Sequence, residues 1–245
     1  MNNNKLHFVF AALIFGLSMQ VWAEEEQDDP WSGKVGIGYI SSSGNNDTTS
    51  FTGNAEVNWD GERWHHGLLG KALGQSTDNV TTAEAYKAAY QAKFDLSKRT
   101  YLFGLLDYNK NRFSSYDSQF FQVLGVGQRF IQTDKHELNG ELSAGASQSD
   151  LVVLLPPGTD SINEAVFRVA GNYQWTISDT SSFSQILSVS SGSSNTYTES
   201  ITELSAGIIG SLSTVIGYTV RHNSDVSPGT EKTDTFASIS LEYVF

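Results

Sequence analysis

Phe236-Ala-Ser-Ile-Ser-Leu-Glu-Tyr-Val-Phe245 makes up the last ten residues of the chain. Ala237, Ile239, Leu241, Tyr243 and Phe245 occupy every second position, with Ser238, Ser240, Glu242 and Val244 between them. Strict alternation places one set on each face of a β-strand. The same rhythm recurs upstream. Val35, Ile37 and Tyr39 alternate with Lys34, Gly36 and Gly38, and Ala55, Val57 and Trp59 with Asn54, Glu56 and Asn58. Leu138, Leu142, Ala144 and Ala146 alternate with Glu137, Asn139, Glu141 and Ser143. Ala165, Phe167, Val169, Tyr173 and Trp175 alternate with Glu164, Arg168, Asn172 and Gln174, and Leu204, Ala206, Ile208 and Leu212 with Glu203, Ser205 and Ser211.

Twelve such segments can be marked: 31–42, 48–60, 62–75, 82–95, 100–110, 118–131, 135–148, 161–175, 181–191, 198–212, 214–223 and 233–245. Soluble strands average about 5–6 residues, whereas a tilted transmembrane strand needs about 9–11. All twelve are of the longer kind. Tight turns are expected at Asp60-Gly61, Asp95–Arg99, Gln132–Lys135, Thr176–Thr180 and Leu212–Thr214. Longer loops are expected at Ser43–Asp47, Ser76–Thr81, Asn111–Asp117, Ser149–Asp160, Gly192–Tyr197 and Ser224–Lys232. Short turns at one end and longer loops at the other is the asymmetry of an outer-membrane barrel. Some stretches fit less well. Thr82–Arg99 is rich in helix formers, with Tyr86, Tyr90 and Phe94 spaced for a helix face as well as for a strand face. Leu151–Leu155 is apolar without alternation, and the facing of 100–110 and 118–131 is open.

Strands apolar on one face must bury it. In hydrocarbon, every backbone N–H and C=O also needs an internal partner, so the sheet must close on itself. The expected fold is therefore all-β: a closed antiparallel transmembrane β-barrel of about 12 strands over residues 31–245. Only every second residue need be apolar, which reconciles this with 39% hydrophobic content and a mean hydropathy of −0.27. Zero Cys excludes a disulfide scaffold, a cysteine nucleophile and an acylated cysteine. Residues 1–23 have the form of a signal peptide: Lys5, an apolar run from Phe8 to Leu17, and Val21-Trp22-Ala23 before a cut ahead of Glu24. Its removal leaves 14 basic against 27 acidic residues, a net charge of −13. That balance argues against nucleic acid as a partner. Residues 24–30 form an acidic periplasmic tail. Expected partners are outer-membrane lipids and, during biogenesis, the barrel assembly machinery and periplasmic chaperones.

Trp31, Trp59, Trp64 and Trp175 each fall at a strand end beside the N-terminus or a short turn, and are assigned as interfacial anchors. Phe94, Tyr101 and Phe130 are placed at the same level. The final strand resembles the C-terminal recognition strand of bacterial outer-membrane barrels. That resemblance makes Leu241, Tyr243 and Phe245 an assembly signal, read by edge pairing. The chain as a whole resembles the bacterial family of salt-induced outer-membrane proteins of unknown function. The resemblance rests on Trp31–Asp47 (WSGKVGIGYISSSGNND), on Tyr101–Tyr108 (YLFGLLDY), on Phe113 and Tyr116-Asp117, and on Gly125–Phe130 (GVGQRF). It implies architecture and an outer-membrane location, and brings no catalytic residues.

The alternation assigns Lys34, Glu56, Lys71, Lys87, Glu141, Glu164, Arg168, Glu203 and Glu242 to the lumen, together with Lys93, Glu137 and Arg221. Mixed charges there suit either a hydrated, weakly selective pore or an interior network of ion pairs that closes the barrel. No cofactor and no metal ligand set is expected. There is no G-x-S-x-G, H-E-x-x-H or phosphate loop. The function expected is passive, either small-solute passage or envelope adaptation, the latter to osmotic stress as the family resemblance implies. The alternative is an outer-membrane hydrolase using His222 near Ser224 and Asp225 at the loop end.

Overall fold

In the computed structural model, residues 29–42, 48–78, 80–154 and 157–245 are described. The expected signal peptide and residues 24–28 of the acidic tail lie outside them. Twelve strands account for almost all of the rest. They are β1 (Trp31–Ser42), β2 (Thr48–Asp60), β3 (Trp64–Thr77), β4 (Val80–Asp95), β5 (Thr100–Asn111), β6 (Tyr116–Gln132), β7 (His136–Leu154), β8 (Pro157–Ser178), β9 (Ser181–Ser191), β10 (Thr196–Ile209), β11 (Leu212–Asn223) and β12 (Thr233–Val244). Each pairs antiparallel with its neighbours in sequence, and β12 returns to β1, so the sheet is a closed barrel.

Closure is achieved over a short seam. Lys34, Val35, Gly36 and Ile37 pair with Val244, Tyr243, Glu242 and Leu241. Phe245 extends the seam by one step: its N–H donates to the Gly33 carbonyl at 2.9 Å, and its carbonyl accepts from the Gly33 N–H at 2.8 Å. The side chain of Phe245 lies over Gly33, where a Cβ would meet its ring at 2.6 Å. Small residues on β1 thus let the last strand approach closely.

Both described ends of the barrel wall share one end with the connections β2–β3, β4–β5, β6–β7, β8–β9 and β10–β11, each of two to four residues; it is called here the turn end, and the other the loop end. Several expected boundaries move: β8 runs to Ser178, into the turn expected at Thr176–Thr180, and β10 begins at Thr196 within the loop expected at Gly192–Tyr197. The turn expected at Leu212–Thr214 is Gly210-Ser211, where Gly210 takes φ +54° and Leu212 already pairs with Ile209. A two-residue hairpin favours a residue with positive φ, and glycine adopts it without a Cβ clash. The loop expected at Ser149–Asp160 is mostly ladder: Ser149 pairs with Ile162, Leu151 with Asp160 and Leu154 with Pro157. Leu151 is therefore part of a hairpin that extends beyond its neighbours. The loop expected at Ser76–Thr81 shrinks because Thr77 already pairs with Val80, and β6 begins at Tyr116 within the loop expected at Asn111–Asp117. Thr82–Arg99 contains no helix; residues 82–95 belong to β4, where pairing on both sides overrides local helix propensity.

Large apolar side chains cover the outside: Val35, Ile37, Leu68, Leu102, Leu124, Leu142, Phe167, Ile216, Ile239 and Leu241 are all exposed. Buried polar groups fill the inside, among them Lys87, Asp107, Asn109, Ser147, Ser188, Glu199 and Asn223. This inverts the distribution of a soluble barrel and is that of a sheet with lipid outside. The facing left open for 100–110 and 118–131 resolves with odd-numbered residues inward as far as Arg129, where the register shifts and Ile131 is left exposed. Tyr101, Phe103, Leu105, Phe121 and Val123 belong to a buried apolar cluster with Val166 and Tyr197. Tyr101, 1% exposed, is thus not an interfacial aromatic like Phe94 or Phe130. Its ring covers Gly127, and Phe103 covers Gly125, each on its cross-strand partner.

Candidate functional site

The nine charges assigned to the lumen all occupy inward positions of the ladder, and they divide into separate groups. Lys34 on β1 lies 3.6 Å from Glu56, 3.9 Å from Glu203 and 3.8 Å from Glu242. Lys71 on β3 donates to Glu203 on β10 at 2.8 Å. Asn54 donates to Glu242 at 2.9 Å, tying β2 to β12 beneath the seam. Glu141 accepts from Gln91 at 3.1 Å and from the Tyr101 hydroxyl at 2.9 Å, with Lys93 at 3.8 Å. Glu164 turns towards the β9–β10 loop instead, accepting from the Ser193 hydroxyl and the Ser194 N–H, both at 2.7 Å.

Lys87 is the centre of a layer that spans the barrel. From β4 it reaches Asp107 on β5 at 3.1 Å and crosses the lumen to Glu199 on β10. Glu199 also accepts from Arg221 at 3.0 Å and from the Tyr197 hydroxyl at 3.2 Å. Beside it, Phe121 on β6 stacks on Tyr197 with centroids 5.6 Å apart. Lys87, Asp107 and Glu199 have side chains no more than 9% exposed. Charges this buried survive only when paired and hydrogen-bonded. Asp107, Glu199 and Tyr197 escape the sequence reading. Asp107 follows an inward face, Tyr101-Phe103-Leu105, that is as apolar as a lipid face. Glu199 and Tyr197 lie at the start of β10 among Thr, Ser and Glu, where polarity barely alternates.

Two chambers adjoin this layer. The smaller, about 90 Å³, is lined by Asn54, Lys71, Glu203, Phe236 and Glu242 among others. The larger, about 250 Å³, runs from Lys87, Asp107 and Glu199 past Leu105, Ile201 and Arg168 to Asn58, Asn139 and Asn172 near the turn end. Beyond the layer, loops meet over the loop end: the Ser227 N–H donates to the Ser115 hydroxyl at 3.0 Å, and Asn195 donates to Asn223 at 2.7 Å. At the turn-end mouth His65 bridges Asp60 at 2.7 Å and Asp95 at 3.2 Å. Arg129 donates to the other oxygen of Asp95 at 2.8 Å, and both Arg129 and Lys93 lie over the Tyr101 ring.

The four tryptophans lie at turn-end strand termini on the outer surface, Trp31 opposite Trp59. Two outward histidines join them. His66 stacks on Trp64 with centroids 5.9 Å apart, and its Nδ1 is 2.8 Å from the Tyr90 hydroxyl. His136 stacks on Trp175 at 5.9 Å, with Nδ1 2.9 Å from the Tyr173 hydroxyl. His222 also faces out. Its Nδ1 is 2.9 Å from the Thr233 hydroxyl, while the Ser224 hydroxyl donates to Asn195. The Ser–His contact that a hydrolase would need there is not formed. Among the described residues no cluster of three or more His, Asp or Glu could hold a metal ion.

Comparison with known proteins assigns no role to this chain. A family model described as "Protein of unknown function, DUF481" matches residues 35–245, and its description makes no mention of salt. The uncharacterized protein YdiY of Escherichia coli (strain K12) is 27% identical over 217 residues, covering 87% of this chain and 83% of that protein. Among solved structures, the NanC porin is 12% identical, with 87% of this chain and 97% of that one covered and a TM-score of 0.49. An outer membrane channel from Pseudomonas putida F1 is 10% identical, with 88% and 95% covered and a TM-score of 0.49. At these scores neither structure bears on function.

Proposed function

The chain belongs to the DUF481 family of proteins of unknown function, and on that premise we propose that it is an outer-membrane barrel whose lumen is a side-chain-gated passage for small polar solutes. The turn end faces the periplasm and the loop end the exterior, as in barrels with short periplasmic turns. In the conformation described, side chains meet across the passage. The observation that carries this reading is what meets there. The layer crossing the lumen consists of side chains, chiefly Lys87, Glu199, Arg221, Phe121 and Tyr197, and among the described residues no strand or helix threads the barrel. Ion pairs and rotatable rings can part without unfolding the wall. Chambers of mixed polar and apolar lining adjoin the layer, and the larger runs towards the turn-end mouth, so parting the layer extends that space towards the loop end. Rings of charge then set which solutes enter.

Liposome swelling tests this. Proteoliposomes containing the Lys87→Ala/Glu199→Ala variant should admit a small neutral sugar such as arabinose faster than those containing the unaltered barrel. The double substitution leaves Arg221 and Asp107 to balance each other and removes the pair that joins β4 to β10 across the lumen. Equal swelling for the folded variant and for protein-free liposomes would contradict the gated passage and favour a solid interior.

A further inference from the structure

We infer that the larger chamber binds a small hydroxylated carboxylate, with the carboxylate held by Arg168. The pairing of the lumen charges leads there. Among the described residues, Lys34, Lys71, Lys87, Lys93, Arg129 and Arg221 all point inward and each has a carboxylate within 4.0 Å. Arg168 also points inward and lines the larger chamber, yet its guanidinium has neither an ion pair nor a hydrogen bond. Its cross-strand neighbours are Ser143 and Ser190, which carry no charge. A guanidinium in a recess needs an anion or water on its fork of donors, and that planar fork matches a carboxylate in bidentate fashion.

The surroundings narrow the ligand further. Asn139 and Asn172 face each other across β7 and β8 on the same inner wall, nearer the mouth, and neither amide is hydrogen-bonded. Amides both donate and accept, as a hydroxylated chain requires. Glu56 and Glu141 also line the chamber and disfavour a multiply charged anion such as a phosphate. Leu105, Ile186 and Ile201 give it an apolar wall for a carbon backbone. A volume of about 250 Å³ suits a ligand of sugar-acid size. The inference deepens the lumen reading only in requiring that the chamber be reachable from the mouth. Binding is measured at equilibrium, so it stands or falls independently of conduction.

The test is titration calorimetry of the refolded barrel in micelles with sodium gluconate, and with sorbitol and butyrate for comparison. Gluconate should bind, sorbitol should not, and butyrate should bind more weakly than gluconate. Arg168→Gln should weaken gluconate by about tenfold or more, the loss expected for one charged hydrogen-bonding partner, and Arg168→Lys should recover part of it. Should Arg168→Gln fail to give the compact, heat-modifiable gel band, Asn139→Leu/Asn172→Leu serves instead and should abolish the preference for gluconate over butyrate. Three results would each overturn the proposal: no gluconate binding to the folded barrel, sorbitol binding as tightly, or gluconate affinity and preference unchanged in the variants.

Discussion

Replacing Lys87 by Met is expected to be among the most damaging single changes available in the lumen. The ammonium is 6% exposed and stands between two carboxylates, Asp107 at 9% and Glu199 at 5%. Removing one partner of a buried pair costs about 3–5 kcal/mol, because the remaining charge keeps its desolvation penalty. Here Arg221 still holds Glu199 at 3.0 Å, and Asn109 still donates to Asp107 at 2.9 Å. Part of the loss is thus offset, and about 3 kcal/mol is expected, the low end of that range. Lys93→Met is the internal control. Its ammonium is 29% exposed and 3.8 Å from Glu141, so it should cost about 1 kcal/mol or less. The asymmetry should vanish when the partner is neutralised too, since Lys87→Met/Asp107→Asn leaves no orphaned charge between β4 and β5. Urea titration of the refolded barrel in micelles, followed by the heat-modifiable gel shift, measures all three. If Lys87→Met and Lys93→Met cost the same, the layer around Lys87 is hydrated and the reasoning that places a closed constriction there fails.

Other consequences can be checked with the same preparations. Gly127→Val should prevent compact folding, because a Cβ there would fall within the Tyr101 ring; Tyr101→Ala in the same chain should restore the folded band. Deleting Phe245 removes both backbone hydrogen bonds to Gly33 from a seam of four register pairs, so the folded fraction recovered from outer membranes should fall, and normal recovery would refute its role in closure. Lipids brominated near the headgroup should quench the fluorescence of Trp31, Trp59, Trp64 and Trp175 more than lipids brominated at the chain ends, as interfacial indoles require. Intact-mass measurement of the exported protein should give a chain beginning at Glu24.

Much of the wall could be read from the sequence because lipid demands a strict pattern. Where one face meets hydrocarbon and the other meets water, as in 236–245 or 164–175, alternation fixes both strand and facing. It failed on β5 and β6 for a physical reason. Their inner face carries Tyr101, Phe103, Leu105, Phe121 and Val123, so both faces are apolar and the period-two signal disappears. The site was less legible than the wall. Facing is a local property, and Lys87 and Arg168 could be assigned inward from their neighbours. Pairing across the barrel is not local: Lys87 meets Glu199, 112 residues away, by a register that emerges only when the sheet closes. The same holds for Arg168, whose interest lies in the partner it lacks. Loop boundaries moved where ladder pairing outran turn-like composition, as at Ser149–Asp160.

Single-channel recording in a planar bilayer tests the central claim most directly. The unaltered barrel should be silent or show rare, brief openings, and Lys87→Ala/Glu199→Ala should give frequent discrete conductance steps. Large, steady conductance from the unaltered protein would contradict the closed layer, and silence from the folded double variant would contradict its role as the gate.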